Sequence, residues 1–214
     1  MHLTYTALGD SLTVGVGAFL THGFVKRYAK KLECLYQVPL DVNIRAKPGL
    51  TSGQLLHDIA FNEKTRNAIA QADMITITIG GNDLLQAARH FHQPYNLEKS
   101  MNQYFFHMRA ILNEISTIRS CNPRTYFIQL IGLYNPVPSI PYSDLYLHRY
   151  NDMLRSFSSR HITYVDIYKP FLRNPQQLLA GDYHPNNNGY EIIAEHAFLN
   201  HLQYVHSKKG TKKG

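Results

Sequence analysis

Five short apolar runs, rich in β-branched and aromatic residues, punctuate the 214-residue chain at 5–9, 40–45, 74–80, 125–133 and 162–166. Between them apolar residues recur at helical spacing. Phe24, Val25, Tyr28, Ala29, Leu32 and Leu35 form one such stripe; Tyr146, Tyr150, Met153, Leu154 and Phe157 form another. Leu97, Met101, Tyr104, Phe105, Met108, Ile111, Leu112, Ile115 and Ile118 make the longest, with Asn96 placed to cap it. Tyr190, Ile193, Ala194, Ala197 and Leu202 make the last, and Asn62 is placed to cap a short helix containing Ala68 and Ile69. Strands this apolar need cover on both faces, and the alternating helices supply it through right-handed crossovers. The pattern predicts an α/β fold: a three-layer α/β/α domain around a five-stranded parallel sheet.

Hydrophobic residues make up 44% of the chain, enough for one sizeable core, and no repeat or linker divides it. One domain is expected over 1–206, followed by a disordered basic tail at 207–214. Loops are expected at 93–96 and 135–141, where Pro and Asn gather. Of the formal charge of +7, Lys208, Lys209, Lys212 and Lys213 supply four, which leaves about +3 for the body. Without a basic stripe interleaved with aromatics, nucleic-acid binding is not expected. No run approaches the roughly 20 apolar residues of a membrane span. No basic and apolar leader opens the chain, so synthesis in the cytoplasm is the expectation. Cys34 and Cys121 stand far apart in helical apolar patterns and are expected to pack as small hydrophobes.

Four short motifs follow strands or precede the final helix: Gly9-Asp10-Ser11-Leu12, Lys47-Pro48-Gly49-Leu50-Thr51, Gly80-Gly81-Asn82-Asp83 and Asp182-Tyr183-His184-Pro185-Asn186. In a parallel sheet the loops after the first three strands share one edge, where α/β proteins bind their ligands. Chain reversal after the fifth strand brings His184 to the same edge. Singly, each motif has a plain reading: Ser11 as a helix cap, Gly49 as a turn glycine after Pro48, Asn82 in a left-handed turn. Together they suit acyl transfer. Ser11 is the candidate nucleophile and His184 the base that takes its proton. The backbone N–H groups of Ser11 and Gly49 and the Asn82 amide are candidate oxyanion donors. Leu12, Val14, Leu50, Leu84, Leu85, Tyr134, Pro136, Val137 and Tyr183 flank these motifs, either as core or as an apolar groove for an acyl chain.

The serine, glycine, asparagine and histidine blocks at Ser11, Gly49, Asn82 and His184 resemble those of the SGNH, or GDSL-type, hydrolases. Within that superfamily the chain is similar to the germination lipases of spore-forming bacilli. The strings that carry this are 7–18, 23–28, 81–86, 133–136 and 184–186. The resemblance implies a flavodoxin-like sheet of order 2-1-3-4-5, no metal or other cofactor, and hydrolysis of carboxylic, notably lipid, esters. Spore association is implied in the same way. One position departs from the pattern: the aspartate usual three residues before the histidine is here Gly181. The nearest acid is Asp182, two residues before His184, and an extended segment would hold residues two apart about 6.6 Å from one another. A local turn brings the carboxylate to the imidazole; otherwise a backbone carbonyl orients the ring as a Ser–His dyad, and Asp182 only caps a turn.

Asp10 and Asp83 are expected to brace turns, and Asp166 to stabilise a helix or loop rather than to act in catalysis. His90-x-His92 lacks a third ligand at metal-binding spacing. Gly15-x-Gly17 fails the dinucleotide fingerprint, and no phosphate-binding Gly-Lys-Ser/Thr loop is present. The reading is thus a metal-free serine esterase or lipase that forms an acyl-enzyme. The alternatives are a carbohydrate O-deacetylase on the same fold and a non-catalytic spore-coat binding protein.

Overall fold

Strand β1 (Leu3–Gly9) lies between β2 (Leu40–Ala46) and β3 (Met74–Thr78), and β4 (Phe127–Ile131) and β5 (Ile162–Val165) extend the sheet beyond β3. Every pairing is parallel and the order is β2-β1-β3-β4-β5, as the resemblance implies. The computed structural model describes residues 2–18, 23–88, 94–122, 124–139, 142–173 and 175–210. His90 and His92 lie outside these residues.

The two-residue period of the strands divides the core into two. Tyr5, Ala7, Phe127 and Ile131 face one hydrophobic cluster, with Phe24, Val25, Tyr28 and Leu32 of α2 (Phe24–Tyr36) and Tyr190, Ile193 and Ala197 of α10 (Asn187–Gly210). Leu8, Ile75, Ile77, Ile128 and Leu130 face the other. That second layer is built from α3 (Ser52–Phe61), α4 (Glu63–Gln71), α6 (Pro94–Ser120) and α7 (Ser143–Ser156). Each large apolar side chain buried this completely contributes roughly 2 kcal/mol of hydrophobic stabilisation. Cover is thinner over the edge strand β2, where Val42 and Ile44 are exposed.

The Asn62 cap read from the sequence is found: its Oδ1 accepts from the backbone of Lys64 and Thr65 at the start of α4. Asp166, expected only to stabilise a helix or loop, accepts through Oδ1 from Tyr168 N at the start of α8 (Tyr168–Arg173). Several expectations need correction. Helix α6 begins at Pro94, so Asn96 stands inside the helix and 94–96 is not a loop; a proline suits a first helical position because that turn's N–H has no intrahelical acceptor. Cys34 and Cys121 are both exposed rather than packed, and Leu35 at the end of its stripe is exposed too. Helix α3 is not marked by any of the apolar stripes, although Thr51 and Gln54 form a reciprocal capping box at its start. Among the described residues α1 (Ser11–Val14), α5 (Gly81–Ala88) and α9 (Pro175–Leu178) are shorter helices. Among the described residues no helix is long and apolar enough to cross a membrane.

Candidate active site

Register gathers the motifs. Gly9 at the end of β1 pairs with Ala46 on one side and Thr78 on the other, so three strands stop level with one another. The segments after them, carrying Ser11, Gly49 and Asn82, therefore start from one edge of the sheet.

At the first of these turns Asp10, not Ser11, is the helix cap. Its backbone N–H donates to Thr78 O at 3.1 Å, and its Oδ1 accepts from Leu12 N at 3.0 Å and Thr78 Oγ1 at 3.1 Å. The capping task being filled, the Ser11 side chain is left half-buried at the start of α1 and lines a cavity of about 340 Å³. Burial pushes the Asp10 carboxyl up to about 6, against the bonds from Leu12 and Thr78.

Gly49 lies on the cavity wall with φ +79, left-handed backbone that a side chain disfavours even though a Cβ would meet nothing within 4 Å. Asn82, in the first turn of α5, also lines the cavity and donates through Nδ2 to Leu50 O at 2.9 Å. That bond uses one amide hydrogen and fixes the plane of the group, which leaves the second hydrogen for a ligand. Asp83 turns the other way, towards Ser52 at the start of α3.

His184 arrives on a chain reversal between α9 and α10. Leu179 and Pro185 form an isolated antiparallel bridge, Ala180 N donates to His184 O at 2.9 Å, and Asn186 caps α10 through the backbone N–H groups of Asn188 and Gly189. The reversal is fastened from outside as well: Tyr134 OH donates to Tyr183 O at 2.5 Å. Gly17 packs so closely that a Cβ there would stand 3.0 Å from His184 Cβ and 2.6 Å from Pro185 O. Within the reversal Asp182 Oδ1 accepts from His184 N at 2.8 Å, and Oδ2 lies 2.9 Å from His184 Nδ1. The turn thus spans the two-residue spacing that an extended chain would not. The imidazole and, next, the backbone N–H hold the Asp182 carboxyl below its ordinary range.

The cavity brings together Ser11, Gly49, Asn82 and His184, with Asp182 behind the ring. Most of its remaining wall is apolar. Leu12, Leu84, Leu85, Tyr134, Pro136, Val137 and Tyr183 line it. Leu50 does not: its side chain packs against the second core cluster and only its carbonyl serves the site, by receiving Asn82. Val14 is exposed and is not part of the wall either. Val16, Leu133, Tyr146 and Leu147 join the lining. The sequence offered Tyr146 only as one position of a helical stripe, with nothing to say that the stripe ends against a cavity. Among the described residues no three His, Cys, Asp or Glu side chains are grouped to hold a metal ion.

Comparison with known proteins supplies the remaining facts. The model of the GDSL-like lipase/acylhydrolase family matches residues 7–192. The chain is 36% identical over 208 residues to the spore germination lipase LipC of Bacillus licheniformis, an alignment covering 91% of this chain and 94% of that protein. Among solved structures it is similar to the lipase Lip_vut3 from a goat rumen metagenome, with a TM-score of 0.86 and 33% identity over 91% of this chain and 95% of that one. A catalytic mutant of the acetylxylan esterase Axe2 from Geobacillus stearothermophilus shares the fold, with a TM-score of 0.69 at 18% identity, covering 92% and 93% of the two chains.

Proposed function

Since the chain belongs to the GDSL-like lipase/acylhydrolase family, we propose that this esterase/lipase cleaves esters of hydrophobic acyl groups with Ser11 as nucleophile, His184 as base and Asp182 as the residue that orients it. The observation that carries this reading is the convergence of Ser11, Gly49, Asn82 and His184 on one apolar cavity, with Asp182 against the far nitrogen of the imidazole.

The chemistry follows from those positions. His184 Nδ1–H donates to Asp182, which leaves Nε2 unprotonated and able to accept the Ser11 hydroxyl proton. Ser11 Oγ then adds to the ester carbonyl carbon, and the carbonyl π electrons move onto oxygen. Ser11 N–H, Gly49 N–H and the free hydrogen of the Asn82 amide are the donors for that oxyanion, and one such donor is worth about 3 kcal/mol of barrier. Collapse expels the alkoxide, which takes the proton from His184 and leaves Ser11 acylated. Water repeats the sequence, with His184 again as base, and releases the carboxylic acid.

Leu12, Leu84, Leu133, Val137 and Leu147 in the wall give an acyl chain an apolar surface and give a sugar few partners. They support a lipid or other hydrophobic ester over an acetylated carbohydrate. The lipase names of LipC and Lip_vut3 point the same way, and the first supports a place in spore germination for this chain.

The test is hydrolysis of chromogenic esters of increasing acyl length and of an acetylated xylo-oligosaccharide, by wild type and by Ser11→Ala. Wild type is expected to prefer the longer acyl groups and to be labelled at Ser11 by a serine-reactive phosphonate. Equal rates in wild type and Ser11→Ala would end the catalytic assignment, and preference for the acetylated sugar would end the substrate assignment.

A further inference from the structure

Asp83 follows Asn82 directly, yet it does not line the cavity. Its carboxylate is engaged on the side of α3: Oδ2 accepts from Ser52 N at 2.9 Å and Oδ1 accepts from Ser52 Oγ. Ser52 is completely buried, and its Oγ lies 2.9 Å from Nδ1 of His107, which reaches in from α6. The site is shaped for that ring, since a Cβ at Gly53 would stand 3.0 Å from His107 Cε1. Ser100 of α6 adds a 3.4 Å contact from its Oγ to Asp83 O.

Hydrogen inventory fixes the direction of this chain. An ionised carboxylate only accepts, so the single hydroxyl hydrogen of Ser52 goes to Asp83. The lone pairs of Oγ then face His107, whose Nδ1 must carry hydrogen and donate. These are the residue types of a catalytic triad wired in reverse: the serine gives its proton to the carboxylate instead of the imidazole. Buried and with its proton committed, Ser52 is no nucleophile.

What the chain does is join segments. Gly49 precedes Ser52 by three residues, and Asn82 precedes Asp83 by one. Asn82 Nδ2 to Leu50 O and Ser52 to Asp83 are two crosslinks between the starts of α3 and α5, and His107 ties them to the long helix α6. We propose that Asp83, Ser52 and His107 are positioning residues that set the distance between the oxyanion donors Gly49 and Asn82. This rests on the function proposed above. Donors aimed at the transition-state oxygen act only when correctly placed, and a displacement of about 1 Å can cost on the order of 100-fold in rate.

The experiment measures kcat and KM for a chromogenic ester, and the Kd of an alkyl boronic acid as a mimic of the tetrahedral intermediate. It compares full-length wild type, Ser11→Ala, Asp83→Asn, Ser52→Ala, His107→Leu and His107→Asn. Asp83→Asn keeps the shape but offers one acceptor where two are needed. An asparagine at position 107 places an N–H donor near that of Nδ1, whereas leucine cannot. The expected result is a fall in kcat of roughly tenfold or more in Asp83→Asn and His107→Leu, with KM within about twofold. Boronate affinity should weaken by the same factor as kcat/KM, and His107→Asn should recover to within about threefold of wild type. Should Asp83→Asn fail to fold, Ser52→Ala and the His107 pair decide. Unchanged kcat in folded His107→Leu and Ser52→Ala, or a His107→Asn variant as slow as His107→Leu, overturns the proposal. Hydrolysis that survives in Ser11→Ala would instead remove the reading beneath it.

Discussion

Asp182 holds His184 twice, accepting the backbone N–H at 2.8 Å and facing Nδ1 at 2.9 Å across a turn of only two residues. One oxygen shapes the turn and the other orients the ring. The carboxylate that would fix the tautomer is therefore itself fixed by the same residue's main chain.

This double contact sits in the open, with the Asp182 side chain 57% exposed and that of His184 27%. Where the orienting acid is buried, its loss costs about 10⁴ in kcat. Water competes for an exposed pair, so Asp182→Ala is expected to lower kcat by about 10- to 100-fold and His184→Ala by considerably more. Steady-state kinetics on a soluble ester would measure both. Because the folded-state carboxyl is held below its ordinary value, the pair's contribution to stability is full above the unfolded value near 3.8 and fades as pH falls through the lower folded value. The stability advantage of wild type over Asp182→Asn should accordingly shrink as pH falls below about 4.

Asn82→Ala removes both the cavity-facing hydrogen and the bond to Leu50 O. A fall in kcat of about 100- to 1,000-fold is expected, with KM nearly unchanged, because the donor acts on charge that exists only in the transition state. An accompanying rise in KM of the same size would mean that Asn82 binds the ground state instead.

Tyr134 is buried, stacks on Phe171 with ring centroids 4.3 Å apart, and donates its hydroxyl to Tyr183 O. Burial raises the Tyr134 hydroxyl well above the ordinary tyrosine value, so it remains a donor throughout the working range. Tyr134→Phe keeps the ring stack and releases the histidine reversal. Thermal unfolding should register a loss of about 1 kcal/mol. The expected fall in kcat is roughly three- to tenfold, since a loosened reversal spends less time with His184 aligned.

Asp10 has the opposite electrostatic sense to Asp182. Its carboxyl titrates at about 6 in the folded protein against 3.8 when unfolded, so the folded state binds the proton more tightly. The stabilisation this provides is complete below pH 3.8 and lost as pH rises through 6, a change on the order of 3 kcal/mol. Asp10→Asn retains an Oδ1 acceptor for Leu12 N and Thr78 Oγ1 and does not titrate. Urea unfolding between pH 4 and 7 should show wild-type stability declining relative to Asp10→Asn as pH rises. A constant difference would refute the shifted carboxyl.

Much of this protein was legible in its residues because local physics wrote it there. Tyr5 and Ala7 face the layer of the helical stripe Phe24, Val25, Tyr28, Ala29, Leu32 while Leu8 faces the other, a sorting that the two periods dictate through burial alone, and parallel order then fixes which loops share an edge. The blocks at Ser11, Gly49, Asn82 and His184 could be named on that basis. Exposure at the ends of stripes was not legible: Leu35 and Cys34 follow the helical pattern, but α2 outlasts the surface that covers it. Nor could sequence show that Leu50 gives the site its carbonyl and the core its side chain. The contacts that decide the geometry are long-range. Thr78 meets Asp10 across 68 residues, Tyr134 meets Tyr183 across 49, and Ser52 meets Asp83 across 31 and His107 across 55. Spacing along a chain constrains only neighbours; where the histidine reversal stands against the serine turn, or one oxyanion donor from the next, is set by bonds that exist only once the layers have packed.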